Sequence, residues 1–154
     1  MTGKIKMKRD LITLLDYSSA EILALIDSAN RLIKQKGKIT TDLKGRSVAL
    51  VFQKPSNRTR VSFEVGVYEL GGHCLYLGPE EINLGKREST YDVAKTLSRY
   101  VHCIIARVFN NKDIFELAQH AMCRSLMPCV IYIILARRWR IFKRSVSGLE
   151  SLKA

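Results

Sequence analysis

The sequence predicts an α/β fold, a three-layer α/β/α domain with a parallel sheet, and three observations carry that prediction. Short apolar runs alternate with segments whose apolar residues recur at helical spacing. Glycine- or proline-containing breaks separate them. The resulting order, strand, helix, strand, helix, strand, helix, argues for a parallel sheet with helices on both faces. At 154 residues the chain can hold one domain of ordinary size with its own core. It contains no internal repeat and no low-complexity segment.

Each element has a local reason. Ser18 and Ser19 followed by Glu21 form a helix-start signal, and Ile22, Leu25, Ile26, Ala29, Leu32 and Ile33 repeat at helical spacing until Gly37 stops them. Leu43-Lys-Gly45 is a turn, and Ser47–Phe52 is an apolar run of the length of a buried strand. Lys54-Pro55-Ser56 breaks it, and a helix starts near Asn57, runs to Leu70 and is closed by Gly71-Gly72. His73–Leu77 reads as the next strand and Gly78–Arg87 as a loop. Ser89 caps a helix over about Tyr91–Tyr100 with Val93, Ala94, Leu97 and Val101 on its inner side. Val101–Ala106 is the third strand, and Asp113–Ala121 a short helix burying Ile114, Leu117 and Ala118.

Composition narrows the class. Apolar residues at 47% and charged residues at 26% describe a soluble globular chain. The net charge of +12 is unevenly spread: from Met122 onward Arg124, Arg137, Arg138, Arg140, Lys143, Arg144 and Lys153 face only Glu150. The four cysteines, Cys74, Cys103, Cys123 and Cys129, have neither C-x-x-C pairing nor metal-ligand spacing. Together with a charged N-terminus lacking an apolar signal core, this leads us to expect reduced thiols, a cytoplasmic location and no metal. Val130–Ala136 is too short to span a bilayer, so no membrane partner is expected.

The chemistry lies where the first strand hands over to a helix. Ser56-Asn57-Arg58-Thr59-Arg60 places two hydroxyls and two guanidinium groups at a helix N-terminus, where free backbone N–H groups and the helix dipole favour an anion. Arg58 offers a planar fork matched to phosphate oxygens. A plainer reading is open at this point: Ser56 and Asn57 cap a helix and the arginines are solvated.

The longer string decides between them. Lys54-Pro-Ser-Asn-Arg-Thr-Arg-Val-Ser-Phe-Glu64 resembles the signature of the aspartate and ornithine carbamoyltransferases, with Asn57 where threonine is commoner. The resemblance implies that Ser56, Asn57, Arg58 and Thr59 grip the phosphate of carbamoyl phosphate, while Arg60 is structural and paired with Glu64. Leu70-Gly-Gly72, Tyr76-Leu-Gly-Pro79 and Asn83-Leu-Gly-Lys-Arg-Glu-Ser89 are similar to the ornithine branch. In the family the last segment reaches a neighbouring subunit's active site, which implies a contact in trans from Asn83 and Lys86. Leu97-Ser-Arg-Tyr100 and Ile104-Ile-Ala-Arg107 also match, and the resemblance makes Arg107 the arginine at the carbamoyl oxygen and phosphate. It further implies transfer of the carbamoyl group to ornithine, giving citrulline and phosphate in arginine metabolism, by a homotrimer needing no cofactor. His73, His102 and His120 are read as surface or satisfied histidines.

The resemblance runs from about Met7 to Ala121. Beyond it the family continues with a Val-Pro-Val-Ile-Asn type strand and a His-Pro-Cys-Gln motif, whose histidine and glutamine bind the carbamoyl group. Here the chain reads Met122-Cys-Arg-Ser-Leu-Met-Pro-Cys-Val-Ile-Tyr-Ile-Ile-Leu-Ala-Arg-Arg-Trp139. Taking the last base of each codon with the first two of the next forces Val from Met122 and Cys123. The following pairs permit Pro-Val-Ile-Asn, and His-Pro-Cys-Gln lies beneath Ile133 to Arg137. The expectation is therefore a carbamoyl-phosphate-binding domain over residues 1–121 and a non-homologous basic tail over 122–154, out-of-frame translation that replaces the catalytic motif and the ornithine-binding domain. The complete catalytic set is expected to be absent and the isolated chain inactive. The alternatives are an aspartate-branch fragment, or a small basic module that binds nucleic acid through the tail arginines; the motif match favours no nucleic-acid partner.

Overall fold

The computed structural model describes residues 9–34, 39–82, 84 and 87–127. Its central feature is a parallel sheet of four strands, β1 (Ser47–Phe52), β2 (His73–Leu77), β3 (Cys103–Arg107) and β4 (Arg124–Leu126), in the order β2-β1-β3-β4. The helices are α1 (Ser19–Lys34), α2 (Asn57–Glu69), α3 (Pro79–Ile82), α4 (Thr90–Tyr100) and α5 (Asn111–His120). The predicted α/β class and parallel pairing are therefore found, and the three expected strands fall at or within two residues of their predicted bounds.

Among the described residues, 13–34 form a compact unit distinct from the one holding the sheet. Here the sequence signal acts as expected. Ser18 and Glu21 form a reciprocal capping box, with Glu21 N–H donating to Ser18 Oγ (3.3 Å) and Ser18 N–H to Glu21 Oε2 (2.9 Å). Ile22, Leu25, Ile26 and Ala29 are half-buried, and Leu23 is exposed.

In the sheet unit the central strands are buried because both their faces are covered. Val48, Ala49, Leu50, Val51 and Phe52 of β1 are all buried, which is why that run is continuous rather than alternating. Side chains alternate along a strand. Ala49 and Val51 of β1 and Ile104 and Ala106 of β3 pack with Val93 and Ala94 of α4 and Ile114, Leu117 and Ala118 of α5. Phe63 and Val67, the buried apolar residues of α2, lie outside that cluster, and α2 contacts β2. β2 is an edge strand and correspondingly more exposed.

Two turns fix how α2 returns to β2 and how α4 begins. Gly71 has φ +78°, and a Cβ there would lie 2.5 Å from the Thr40 carbonyl oxygen, so only glycine fits. Ser89 Oγ accepts from Asp92 N–H at 3.1 Å, the predicted cap, although the helix begins at Thr90.

The structure differs from the sequence expectation in three places. The Gly78–Arg87 stretch contains α3, a single turn with Glu80 and Glu81 in its first turn; Glu81 accepts from Gly78 N–H, and Ile82 and Leu84 are buried. The third strand starts at Cys103 rather than Val101, because Val101 N–H is spent on the Leu97 carbonyl at the end of α4. The sheet also continues past Ala121, the expected boundary, into β4. Backbone pairing is nearly indifferent to side-chain identity, and the N-terminal segment closes the new edge: Leu11 N–H donates to Ser125 O (3.0 Å) and Met127 N–H to Leu11 O (2.9 Å). Residues 128–154 of the expected tail lie outside the described residues.

Cys74 and Cys103 are free thiols. Burial, reinforced by neighbouring Cys123 and opposed by Arg124, pushes the Cys103 thiol from the ordinary 9.0 up to about 12. Burial, with Glu64 adding to it, raises Cys74 to about 11. At pH 8 both should react with iodoacetamide far more slowly than a free thiol, read by mass spectrometry of timed samples. In the unfolded chain these thiols ionise near 9 while the folded ones stay neutral. Their contribution to stability is thus complete below pH 9 and lost as pH rises toward 12.

Candidate functional site

The site forms at the carboxyl ends of the two central strands. Phe52, the last residue of β1, is in register with Arg107, the last of β3. Gln53 N–H adds a further rung to the Arg107 carbonyl at 2.8 Å. The chain then turns through Lys54 and Pro55 into α2, with Ser56 at the N-cap in extended conformation, φ −161° and ψ 96°.

Ser56 has the backbone of a capping residue, but its side chain makes no capping hydrogen bond. It is held elsewhere. Arg107 reaches across from β3, and its Nη1 donates to Ser56 Oγ (2.9 Å) and Thr59 Oγ1 (3.0 Å), while the two hydroxyls lie 2.9 Å apart. The result is a triangle of one guanidinium nitrogen and two hydroxyls, with Thr59 only 1% exposed. One hydroxyl proton suffices to close the hydroxyl–hydroxyl side, so the other is free for an incoming acceptor. The remaining guanidinium nitrogens have no partner among the described residues.

Three more donors surround this triangle. The N–H groups of Asn57, Arg58 and Thr59 belong to the first turn of α2, have no intrahelical acceptor and are not capped by Ser56. No acidic residue lies in that turn to compete for them. Asn57 and Arg58 are exposed. The arrangement suits a small tetrahedral anion: hydroxyls and N–H groups for its oxygens, a guanidinium for its charge, and the positive end of the helix dipole beneath it.

Of the residues singled out in the sequence, Ser56, Asn57, Arg58, Thr59 and Arg107 are brought together at this corner. Asn83 and Lys86 lie outside the described residues. Arg60 points away from the triangle: its Nε donates to Glu64 Oε1 at 3.0 Å, as expected, and its guanidinium lies 3.8 Å from the centre of the Tyr76 ring. His102 Nδ1 accepts from Ser47 N–H (3.1 Å), so it and His73, which pairs with Ser47, sit at the amino ends of the strands, opposite the site. His120 stacks edge-to-face with Tyr91. Sequence reasoning missed Gln53, whose side chain joins three segments behind the site; its position between strand and Lys-Pro turn is the one signal it offers. It also missed Lys54, whose ammonium lies 4.7 Å from the Phe109 ring centre.

A strand-to-helix anion site completed by an arginine from the neighbouring strand defines a phosphate-binding α/β domain. Residues 9–134 match the family model described as the aspartate/ornithine carbamoyltransferase, carbamoyl-P binding domain, and the chain belongs to that family. It is 49% identical over 115 residues to the ornithine carbamoyltransferase of Pyrococcus abyssi, a match covering 73% of this chain and 36% of that protein. The ornithine carbamoyltransferase structure from Pyrococcus furiosus superposes with a TM-score of 0.72 at 42% identity, covering 77% of this chain and 39% of that one. An N-acetyl-L-ornithine transcarbamylase mutant complexed with carbamyl phosphate and N-succinyl-L-norvaline superposes with a TM-score of 0.70 at 30% identity, covering 84% of this chain and 48% of that one. The chain thus spans well under two thirds of the length of these relatives.

Proposed function

We propose that this chain is the carbamoyl-phosphate-binding part of an ornithine carbamoyltransferase and that, as it stands, it binds carbamoyl phosphate without transferring the carbamoyl group. One observation carries the reading: Arg107 crosses from β3 to bond both Ser56 and Thr59, preassembling donors around the uncapped N-terminus of α2. The ornithine branch is favoured by the segment Tyr76–Ser89 and by the similarity to ornithine carbamoyltransferases.

The chemistry follows from that geometry. Attack of an amine on the carbamoyl carbon builds negative charge on the carbamoyl oxygen and on the departing phosphate. Donors fixed in advance stabilise both without reorganising. The α2 N–H groups, Ser56, Thr59 and Arg58 serve the phosphate, and Arg107 stands between phosphate and carbamoyl oxygen. The histidine and glutamine of the family's His-Pro-Cys-Gln motif have no counterpart in Met122–Trp139, so the carbamoyl end lacks its donors. Each missing oxyanion donor costs on the order of a hundredfold or more.

We attribute that loss to a shifted reading frame near Ala121 and Met122. The intact protein would act as a cytoplasmic homotrimer in arginine metabolism, with Asn83 and Lys86 reaching the neighbouring site. Titration calorimetry of the purified chain with carbamoyl phosphate, with ornithine added and citrulline followed in the same sample, tests the reading. Binding without citrulline is the expected result. Citrulline formation would overturn the inactive reading, and failure to bind either carbamoyl phosphate or inorganic phosphate would overturn the binding reading. In Arg58→Ala, loss of an exposed charge-assisted contact should weaken binding about tenfold.

A further inference from the structure

Gln53 is half-buried behind the anion site, and its side-chain amide uses every arm. Oε1 accepts from Phe109 N–H at 2.6 Å, and Nε2 donates to Asp113 Oδ2 at 3.1 Å and to the Leu84 carbonyl at 3.3 Å. A carbonyl and a carboxylate both require a donor and an N–H requires an acceptor, so only this orientation of the amide satisfies all three. The three partners lie in different places: the turn after β3, the first turn of α5, and the segment after α3. Phe109 is two residues beyond Arg107, and Gln53 is three residues before Ser56. Gln53 N–H also bonds the Arg107 carbonyl at 2.8 Å.

We propose that Gln53 is a positioning residue for the anion site: its amide locks the β3–α5 turn and the Leu84 segment to the end of β1, and so holds the Arg107 guanidinium at the Ser56 and Thr59 hydroxyls. This rests on the proposed anion-binding role of that corner. The bonds at 2.9–3.0 Å within the triangle join Arg107 at the end of β3 to Ser56 and Thr59 at the start of α2, and besides the Lys54 ammonium over the Phe109 ring the Gln53 amide is what ties the segments behind them together. A donor set has its full effect only when held within a fraction of an ångström of the ligand oxygens.

The test is an exchange of hydrogen-bond polarity in the full chain, read as carbamoyl-phosphate affinity by calorimetry well below each variant's Tm. Gln53→Met keeps the volume and removes the amide; Gln53→Glu keeps the acceptor for Phe109 but presents no donor to Leu84 or Asp113. Both are expected to weaken binding about tenfold or more. Asp113→Asn alone still offers an acceptor and should bind nearly as the wild type does. Combined with Gln53→Glu it supplies an amide donor to the new carboxylate, and part of the lost affinity should return, the Leu84 carbonyl still lacking its donor. A role confined to stability would lower Tm and leave affinity unchanged, and that result overturns the proposal. So does an affinity loss in Gln53→Glu that Asp113→Asn does not even partly recover. If the wild type binds and Arg107→Ala does not, while the Gln53 variants bind normally, this proposal falls alone; if the wild type binds neither carbamoyl phosphate nor inorganic phosphate, the proposed function falls with it.

Discussion

Replacing Arg107 with alanine is expected to weaken carbamoyl-phosphate binding by at least about a hundredfold while leaving the fold nearly as stable as before. Among the described residues, Arg107 is the one cation in direct hydrogen-bond contact with the site hydroxyls, through Nη1 at 2.9 Å and 3.0 Å. Its loss removes a preorganised charge beside the place proposed for the phosphate. Ser56 and Thr59 remain 2.9 Å apart and can still satisfy each other, so no buried hydroxyl is orphaned. Arg107→Lys should recover only part of the affinity, because a point charge cannot address two hydroxyls and a ligand oxygen in one plane. Calorimetry beside a thermal melt reads both quantities. An affinity within about threefold of wild type would remove Arg107 from the site, since even one charge-assisted hydrogen bond is worth more.

The second large effect is on stability and concerns β4. Ser125 is 0% exposed, and among the described residues its Oγ is the only buried side-chain nitrogen or oxygen without a hydrogen-bond partner. Its backbone is fully used, with N–H donating to Asp10 Oδ1 at 2.6 Å and the carbonyl accepting from Leu11. A stranded hydroxyl costs about 1–3 kcal/mol, so Ser125→Ala should stabilise the chain by about 1 kcal/mol. Ser125→Val should gain somewhat more, by roughly 0.8 kcal/mol for each methylene-sized group buried. Urea denaturation measures both. The proposed shifted frame would read apolar side chains here, Val and then Ile across Arg124 to Leu126, so stabilisation is the result expected from it. Destabilisation by both variants would mean that serine suits this strand, and would weaken that origin for the segment. Sequencing the gene across the codons for Ala121 and Met122 addresses the same question at its source.

The elements legible in the sequence were those whose signals are local. The Ser18–Glu21 capping box, the Ser89 cap, the unbroken apolar run of β1 and the glycine pair after α2 each act within a few residues, and each appears where its chemistry requires. The start of β3 and the single turn of α3 were less legible. One depended on whether the Val101 N–H served a helix or a strand, and the other on four residues with no apolar period of their own. β4 carried no sequence signal, because its pairing uses backbone groups that every residue has.

The same division holds at the site. By itself the sequence determined the fold class, the handover from strand to helix at Ser56, the residues proposed to hold the anion, through the motif they share with a family, and the pairing of Arg60 with Glu64. Only the tertiary structure decided that Arg107 bonds Ser56 and Thr59, that Ser56 therefore leaves the α2 N–H groups uncapped, and that Gln53 clamps the loops behind them. The physical reason is separation along the chain. Arg107 and Ser56 are 51 residues apart, and Gln53 and Asp113 are 60 apart. Periodicity and capping operate over one helical turn, whereas contacts of that span exist only once β1 and β3 lie side by side in register.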